Sequence, residues 1–540
     1  MIIDRIVEVI GEPRVIGDVP QCSRVKEYAT TWGNVVQSIR VAVMVWASVL
    51  CFVVSAAPTV LWGDDAELQR IAITGEARAI GQSSAASHLL WQTVAMGFVR
   101  STTWLPVDAA GRVTLVSSIA GALALVPIGA SAGLIAVRAG FSLRSSDVAG
   151  VVAALAFGLS HTFWLLASRP DAYTIQTLLL ATSLWVMLRA GYSARPVLWW
   201  GAGLATVSLA MTNHVMILAS VPGLAVLGMA GVRVSVGRTI STGIVGGTVL
   251  LGVVVGASIL GFPAFQAVST LLRYRPMLPR PLDPVMLLVY LAYQFPASMV
   301  LAWSGVGTVR RLGSTATVVG IVLLWLGPVV LVLFPALYIR DQFQFYLPSY
   351  VPVALLIGLG AGELSNRPAV MARLTGWRGT VLLGSILLAP LAVYPVATLV
   401  AGGVVTRLAP SRVLPGRDPV SYYLWPPKTG YTGAREYADA AFGVLPVGAV
   451  VIADWLPYQV LRYAQGVEGA RPDLRLEMIN AGDDRQVRFL REQAEGTPLY
   501  LADASPLPYY EMDGIRACHE VVKTGVVYRL DRRSGAGCGG

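Results

Sequence analysis

Three carboxylates in the segment WGDDAELQ, residues 62–69, are the side chains best placed to do chemistry. Asp64, Asp65 and Glu67 follow directly on residues 41–62, a run without any charged side chain. Such a run is typical of a bilayer-spanning helix. Carboxylates at the end of such a helix cost free energy unless they are solvated, paired with a cation or part of a functional site. If the segment is helical, Asp64 and Glu67 lie at positions i and i+3 on one face, within reach of one substrate. A solvated acidic loop that ends a helix is the alternative.

The composition predicts a polytopic α-helical membrane protein. The chain has 540 residues, of which 55% are hydrophobic and 13% are charged, and its mean hydropathy is +0.63. The net charge of +10 lies in short clusters between apolar runs, which indicates an orientation signal and argues against nucleic acid as a partner. Residues 1–37 lack the features of a signal peptide and predict a cytoplasmic tail. Cys518 and Cys538 could pair in an oxidising compartment, and two free thiols are the alternative.

Charge-free runs predict about eleven membrane-spanning helices within a transmembrane region of residues 38–406. The runs are 41–62, 113–137, 148–168, 172–188, 196–213, 214–232, 239–262, 284–304, 315–339, 342–362 and 379–406. With the N-terminus in the cytoplasm, each short cytoplasmic loop then carries at least two arginines, as the positive-inside rule requires. The acidic segment and everything after about residue 407 fall on the extracytoplasmic side.

The first extracytoplasmic loop, residues 63–112, contains an apolar stretch at residues 87–99 that is too short to cross a bilayer. It predicts a helix that lies at or dips into the membrane interface, with Trp91 and Trp104 at headgroup depth.

The composition changes at about residue 407. Residues 407–431 read as a linker rich in proline and tyrosine, residues 432–533 as a small extracytoplasmic α/β domain, and residues 534–540 as a disordered tail. Within the domain the pattern predicts strands at 447–455, 474–479 and 498–504 and helices at 457–469 and 483–495. No glycine fingerprint opens the first of these helices, so no dinucleotide site is predicted.

Several short motifs, in this order, resemble those of the GT-C membrane glycosyltransferases, in particular their protein O-mannosyltransferase-like branch, formerly a domain-of-unknown-function family. The branch has a D-x-(G/A)-E motif after the first span, a His-Pro motif, a Glu-x-Tyr turn, a Thr-Asn-His turn and an Asp followed by Tyr-x-Pro. The corresponding residues here are Asp64-Asp65-Ala66-Glu67, His88, Asp171-Ala172-Tyr173, Thr212-Asn213-His214, and Asp341 followed by Tyr346-Leu347-Pro348. The chain departs from the pattern in lacking the proline after His88 and in carrying Asp171 in place of a glutamate. The likeness covers residues 40–360 well and the tail weakly, through Arg471-Pro472-Asp473.

The resemblance implies transfer of a sugar, with mannose as one candidate, from a polyprenyl-phosphate-linked donor to an acceptor hydroxyl on a protein or glycan. An acceptor hydroxyl needs a general base, and partial desolvation at the membrane surface raises the pKa of a carboxylate toward working pH. Asp64 is the predicted base and Asp65 the alternative. Glu67 is predicted to orient the acceptor or to bind a metal, so a divalent cation stays an open question.

A lipid-phosphate leaving group calls for positive charge at the same membrane surface. The loop at residues 271–283 supplies Arg273, Arg275 and Arg280, whose guanidinium groups suit phosphate; binding of anionic lipid headgroups is the alternative. Further candidates for substrate contact, each with helix capping or packing as the alternative, are His88, Asp171, Tyr173, Asn213, His214, Arg340 and Asp341.

A transporter or flippase of a lipid-linked precursor is the second hypothesis. It requires a charged or water-filled route through the bilayer. The sequence has no Asp, Glu, Lys or Arg in the middle of a predicted span and no internal repeat, which favours the glycosyltransferase. A non-catalytic scaffold is a third reading.

Overall fold

The computed structural model describes most of the chain. The described residues are 39–76, 88–191, 193, 196–229, 252, 279, 281–312, 314–334, 342–367, 377–408, 412, 414–479, 485–505 and 509–533. The predicted cytoplasmic tail, almost all of the predicted span at 239–262 and the predicted C-terminal tail lie outside them.

The part before residue 409 is helical. Its described α-helices are α1 Ile39–Ser55, α2 Asp64–Thr74, α3 Leu89–Ser101, α4 Ala109–Arg138, α5 Leu143–Gly158, α6 His161–Ala167, α7 Tyr173–Ala190, α8 Pro196–Asn213, α9 Ile217–Met229, α10 Asp283–Gln294, α11 Met299–Arg311, α12 Thr315–Leu333, α13 Leu347–Asn366 and α14 Trp377–Leu408. A short 3-10 helix, Gln342–Tyr346, leads into α13.

Each predicted span in the described residues contains a helix, but the count of about eleven spans is not confirmed. By length and apolar composition four described helices could cross a membrane, or six if each of two bent pairs forms one span. The difference arises because several helices are short; α9, for example, has 13 residues, whereas a perpendicular crossing needs about 20.

The two bent pairs correct the prediction of straight spans at 148–168 and 284–304. Helices α5 and α6 meet at 68°, and α10 and α11 meet at 101°. The second break is encoded locally: Pro296 cannot donate a backbone hydrogen bond and disfavours a helical residue before it. The next residue, Ala297, has a φ of 62°, which a continuing α-helix does not allow.

The helices approach one another closely through glycines of α13. A Cβ atom on Gly358 would lie 2.3 Å from the carbonyl oxygen of Ala149 in α5, and one on Gly360 would lie 1.9 Å from that of Leu301 in α11. Small residues of this kind let helix backbones touch where no hydrophobic force between helices operates, as in membranes.

Helix α3 forms where the short interfacial helix was predicted, with different surroundings. Trp91 is completely buried, in a cluster with Leu68 and Ile71 of α2; its position at headgroup depth stays a prediction. Trp104 is 76% exposed. The burial follows from α2, because this short helix packs on α3 and covers its apolar face.

A five-stranded sheet makes up the C-terminal region. The strands are β1 Val450–Ala453, β2 Arg475–Met478, β3 Leu499–Leu501, β4 His519–Thr524 and β5 Val527–Arg532, in the order β2-β1-β3-β5-β4. Strand β1 pairs in parallel with β2 and β3, and β5 pairs antiparallel with β3 and β4. The surrounding helices are α15 Pro419–Leu424, α16 Gly433–Val444, α17 Trp455–Glu468, α18 Arg485–Arg491 and α19 Met512–Cys518.

The three predicted strands and two predicted helices of this region are confirmed. The hairpin of β4 and β5 and the helices α16 and α19 were not predicted. Their sequences are short and rich in charge; β5, for example, reads VYRLDR and buries only Val527 and Leu530. The predicted domain boundaries stay predictions.

The C-terminal region is joined to the helical part by backbone contacts of the linker. The imidazole Nε2 of His161 lies 2.8 Å from the carbonyl oxygen of Tyr423, and the Tyr293 hydroxyl donates to the carbonyl oxygen of Leu424. The backbone N–H of Lys428 donates to the carbonyl oxygen of Ser55, the last residue of α1. These contacts place the linker at the same end of the helices as α2.

Candidate active site at the acidic helix

Helix α2 presents the acidic motif in its first turn. Its N-cap is Gly63, with φ 61° and ψ −127°, and its end is closed by Gly75, whose N–H donates to the carbonyl of Ile71. Asp64, Asp65 and Glu67 all lie in the first turn, where the helix dipole stabilises negative charge. The helical form of the motif, on which the sequence argument depended, is thus present.

The three acids have different surroundings. Asp64 is exposed, and its Oδ1 accepts a hydrogen bond of 2.6 Å from the indole of Trp455. Asp65 is 1% exposed and Glu67 is completely buried. The two carboxylates predicted to share a substrate therefore do not share a solvent-facing surface in this conformation, and the role of Glu67 stays a prediction.

Asp65 is held in a buried ion pair. The guanidinium of Arg169, in the loop between α6 and α7, donates to both carboxylate oxygens, at 2.8 and 3.0 Å. The hydroxyl of Tyr422 adds a third contact at 3.3 Å. Burial opposes the charge of Arg169, but Asp65 outweighs it and holds the pKa of the guanidinium well above its usual value.

Three basic side chains surround the ring of Tyr422. Arg169, Arg417 and Lys428 lie 5.8, 4.8 and 5.2 Å from its centroid, and each of the three residues is less than a tenth exposed. Burial, together with the neighbouring Arg169, holds the pKa of the Lys428 ammonium well below its usual value. The linker thus brings basic groups to the acidic helix.

Asp171 caps α7 beside the ion pair of Asp65 and Arg169. Its Oδ1 accepts from the backbone N–H of Tyr173, and its own backbone is held by the hydroxyl of Ser117 in α4. Burial raises the pKa of the Asp171 carboxyl to about 7, although Arg169 and the Tyr173 N–H favour its charged form. The charges of Asp64 and Asp65 also act on Asp171, so these three carboxyl groups belong to one electrostatic site.

The two predicted histidines form a stacked pair. The rings of His88 and His214 lie 5.2 Å apart, centroid to centroid, at 20°. His88 Nδ1 lies 2.8 Å from the carbonyl oxygen of Asn213, and the Tyr173 hydroxyl lies 3.3 Å from His214 Nε2. Burial lowers the pKa of His214 to about 3 and also lowers that of His88, so both rings are neutral near neutral pH.

Asn213, the last residue of α8, connects the end of that helix to the start of α7. Its side-chain amide donates to the carbonyl of Ala172 at 2.9 Å and to Gln176 Oε1 at 3.1 Å. The structure thus brings together predicted residues on four segments of the chain: Asp64, Asp65, Glu67, His88, Asp171, Tyr173, Asn213 and His214.

The other predicted site residues lie outside the described part of the chain: Arg273, Arg275, Arg280, Arg340 and Asp341. Among the described residues no three His, Cys, Asp or Glu side chains form a group that could hold a metal ion. Cys518 is disulfide-bonded, and Cys538 is outside the described residues.

Sequence reasoning missed the linker and C-terminal residues of the site. Arg169 precedes a Pro-Asp pair at a helix junction, which is a local signal of a functional turn. Tyr422, Arg417 and Lys428 lie in the linker, whose tyrosines and prolines were noted without a role. Trp455 gives no sequence signal, since it is 391 residues from Asp64.

The fold, with apolar helices, a short acidic helix after the first of them and a small sheet region packed on that helix, resembles that of the GT-C membrane glycosyltransferases. Residues 94–234 match the family model of the protein O-mannosyl-transferase TMEM260 N-terminal domain, which is less than half of the chain. The fold is similar to that of ArnT from Cupriavidus metallidurans bound to undecaprenyl phosphate, with a TM-score of 0.51 and 15% identity over 92% of this chain and 98% of that one.

The apo structure of the same ArnT gives a TM-score of 0.51 and 16% identity over 91% of this chain and 97% of ArnT. The oligosaccharyltransferase of Archaeoglobus fulgidus, solved with zinc and sulfate, gives a TM-score of 0.44 and 9% identity over 85% of this chain and 68% of that one. No curated protein matches the chain significantly by sequence. The family match and the ArnT fold confirm the resemblance to GT-C glycosyltransferases and to their protein O-mannosyltransferase-like branch.

Proposed function

We propose that the protein transfers a sugar from a polyprenyl-phosphate-linked donor to an acceptor hydroxyl, with Asp64 as the general base. The observation that carries this proposal is the contrast within α2. Asp65 and Glu67 are buried, whereas Asp64 is exposed at the helix N-terminus, where an acceptor can reach it. The sugar, with mannose as one candidate, and the acceptor, a protein or a glycan, are not distinguished by the site.

The reaction needs one proton transfer and one displacement. Asp64 takes the proton from the acceptor hydroxyl as its oxygen bonds to the anomeric carbon, and the lipid phosphate leaves with the electron pair of the broken bond. Negative charge near the anomeric carbon stabilises an oxocarbenium-like transition state, as in glycoside hydrolysis. Asp65 is less suited to act as base, because both of its oxygens already accept from Arg169.

Positive charge for the phosphate comes from two sources in this proposal. The buried guanidinium groups of Arg169 and Arg417 lie beside α2, and the loop that carries Arg273, Arg275 and Arg280 follows in sequence. Arginine binds phosphate through paired N–H groups. That an ArnT of the same fold was solved with undecaprenyl phosphate supports a polyprenyl-phosphate donor.

We place the site on the extracytoplasmic side, with the N-terminus in the cytoplasm. Helix α4 begins beside α2 and ends at Arg138, whose guanidinium donates to the carbonyl of Leu188 near the end of α7. Arg138 and Arg189 thus lie together at the opposite end of these helices from Asp64, where the positive-inside rule predicts cytoplasm. A disulfide at Cys518 suits an oxidising compartment for the C-terminal region.

The test is sugar transfer by the purified protein in detergent. Asp64→Asn should lower turnover about 100-fold or more, since a general base contributes roughly that much, while donor binding and thermal stability stay unchanged. Asp108→Asn is the matched control, because Asp108 is an exposed carboxylate that caps α4, and an amide keeps the cap.

Unchanged turnover in Asp64→Asn would remove Asp64 from the mechanism. If the wild-type protein instead accumulated a lipid-linked precursor in proteoliposomes and formed no covalent product, the transporter hypothesis would replace the transferase.

A further inference from the structure

We propose that Trp455, in the C-terminal sheet region, is a positioning residue of the acidic site, where its indole N–H holds the carboxylate of Asp64 in place. This inference rests on the proposed function of Asp64. It assigns the C-terminal region a direct part in the reaction, which neither the sequence nor the family match over residues 94–234 indicates.

The contact itself is short and charge-assisted. Trp455 Nε1 donates to Asp64 Oδ1 at 2.6 Å. A hydrogen bond to an ionised carboxylate is about twice as strong as one between neutral groups, and it favours the ionised form of the acid. An exposed aspartate would otherwise rotate about its two side-chain torsions, so the indole limits the directions from which Asp64 can accept a proton.

Trp455 is itself held firmly. It is the first residue of α17, and the preceding Asp454 caps this helix by accepting from the N–H of Leu456 at 3.0 Å. Asp454 is fixed in turn by the buried guanidinium of Arg412. A rigid chain of contacts therefore leads from the sheet to the indole.

The segment that carries Asp64 fits against the same helix. A Cβ atom on Gly63 would lie 2.6 Å from Cδ2 of Leu456 and 3.5 Å from Cδ1 of Trp455. The indole N–H of the preceding Trp62 donates to the Tyr431 hydroxyl at 2.7 Å. The chain entering α2 and the start of α17 are thus packed without room for a side chain at position 63, which fixes the distance between Asp64 and Trp455.

The test compares Trp455→Phe with the wild type. Phenylalanine keeps a ring but lacks the donor, so kcat should fall about tenfold, as for the loss of one charge-assisted hydrogen bond, with little change in KM for the donor. Since the lost bond favoured the ionised acid, the pKa of Asp64 should rise and the acidic limb of the kcat profile should move to higher pH. Trp425→Phe, in the linker, is the matched control and should leave both unchanged.

A double variant separates this inference from the proposed function. If Trp455 acts through Asp64, then Asp64→Asn combined with Trp455→Phe should be no slower than Asp64→Asn alone. A smaller folded fraction would lower the rate equally at every pH, so the shift of the acidic limb, not the rate alone, decides for positioning.

Three results would overturn the inference. A normal kcat and pH profile in Trp455→Phe, with Asp64→Asn inactive, would reject Trp455 and leave the base in place. A slow Trp455→Phe whose pH profile is unshifted would assign the tryptophan a structural role only. Full activity of Asp64→Asn would instead reject the proposed base, and the inference with it.

Discussion

Two regions of the molecule each pair a buried arginine with carboxylates beside a tyrosine ring: the acidic site around Arg169 and a cluster around Arg412 at the C-terminal sheet. They differ in whether one of the carboxylates is exposed to solvent. In the first, the buried Arg169 binds both oxygens of Asp65. In the second, the buried Arg412 binds both oxygens of Asp454 and also Asp503. Both guanidinium groups lie over a tyrosine ring. The site beside Arg169 also holds an exposed carboxylate, Asp64, whereas both carboxylates beside Arg412 are buried.

The position of the second cluster makes this difference informative. Asp454 and Asp503 follow the parallel strands β1 and β3, at the point where the chain passes from one side of β1 to the other. In open α/β sheets this crevice commonly binds ligands. Here Arg412 fills it and ties the linker to the sheet. Burial raises the pKa of the Asp503 carboxyl, which Arg412 opposes. Two carboxylates at the carboxyl ends of parallel strands therefore indicate a reaction site only if one of them stays accessible to a substrate.

The largest effect on stability is expected from Arg412→Ala. It leaves two buried carboxylates without their cation, which should lower the free energy of unfolding of the C-terminal region by about 3–5 kcal/mol. The measurement is thermal unfolding followed in detergent. Arg529→Ala is the control, since the pair of Arg529 with Asp531 is exposed and such pairs contribute roughly 0–1 kcal/mol. Equal effects of the two variants would contradict a tethering role for Arg412.

Asp171→Asn should change how stability depends on pH. Because the folded pKa of about 7 lies above the ordinary value of 3.8, the folded state binds more protons between these values, and stability is lost as pH rises through this window. The asparagine keeps the bond to Tyr173 N–H and cannot ionise, so at pH 8 it should be more stable than the wild type, on the order of 2 kcal/mol.

Thermal unfolding from pH 4 to pH 8 measures this effect. Asp171→Ala serves as control, because it also removes the titrating group but loses the cap, which costs about 1 kcal/mol at every pH. The same pH slope in the wild type and Asp171→Asn would show that Asp171 is ionised in the folded protein.

The smallest effect is expected from Arg169→Lys, which keeps the charge beside Asp65 but loses the paired geometry. We expect a loss of stability of about 1 kcal/mol and a lower turnover, because Asp65 and Tyr422 border the proposed reaction site. Thermal unfolding and sugar transfer measure the two effects. A turnover equal to that of the wild type would show that the buried pair, like that of Arg412, is structural.

The sequence predicted those parts of the molecule that depend on neighbouring residues. Charge-free runs located the helices, because apolar length acts locally, and the acidic motif forms helix α2, which is one of the two alternatives that the sequence left open. The bends and short lengths of the helices were missed, since a single Ala297 in a left-handed conformation is not visible in a hydropathy pattern. The turns at Asp171 and Asn213 were found through motifs, whereas Tyr422, Lys428 and Trp455 reach the site only through the folding of the whole chain.

The long separation between Asp64 and Trp455 has a consequence for biosynthesis. A nascent chain inserts α1 and α2, with all their acids, well before the ribosome makes the linker and α17. Until the linker and α17 have folded against the helical part, Asp64 lacks its hydrogen bond from Trp455 and Asp65 lacks its contact with Tyr422. If the proposed function holds, a chain that ends before α17 lacks both contacts, and its turnover should fall below that of the full chain by at least the roughly tenfold loss expected for Trp455→Phe.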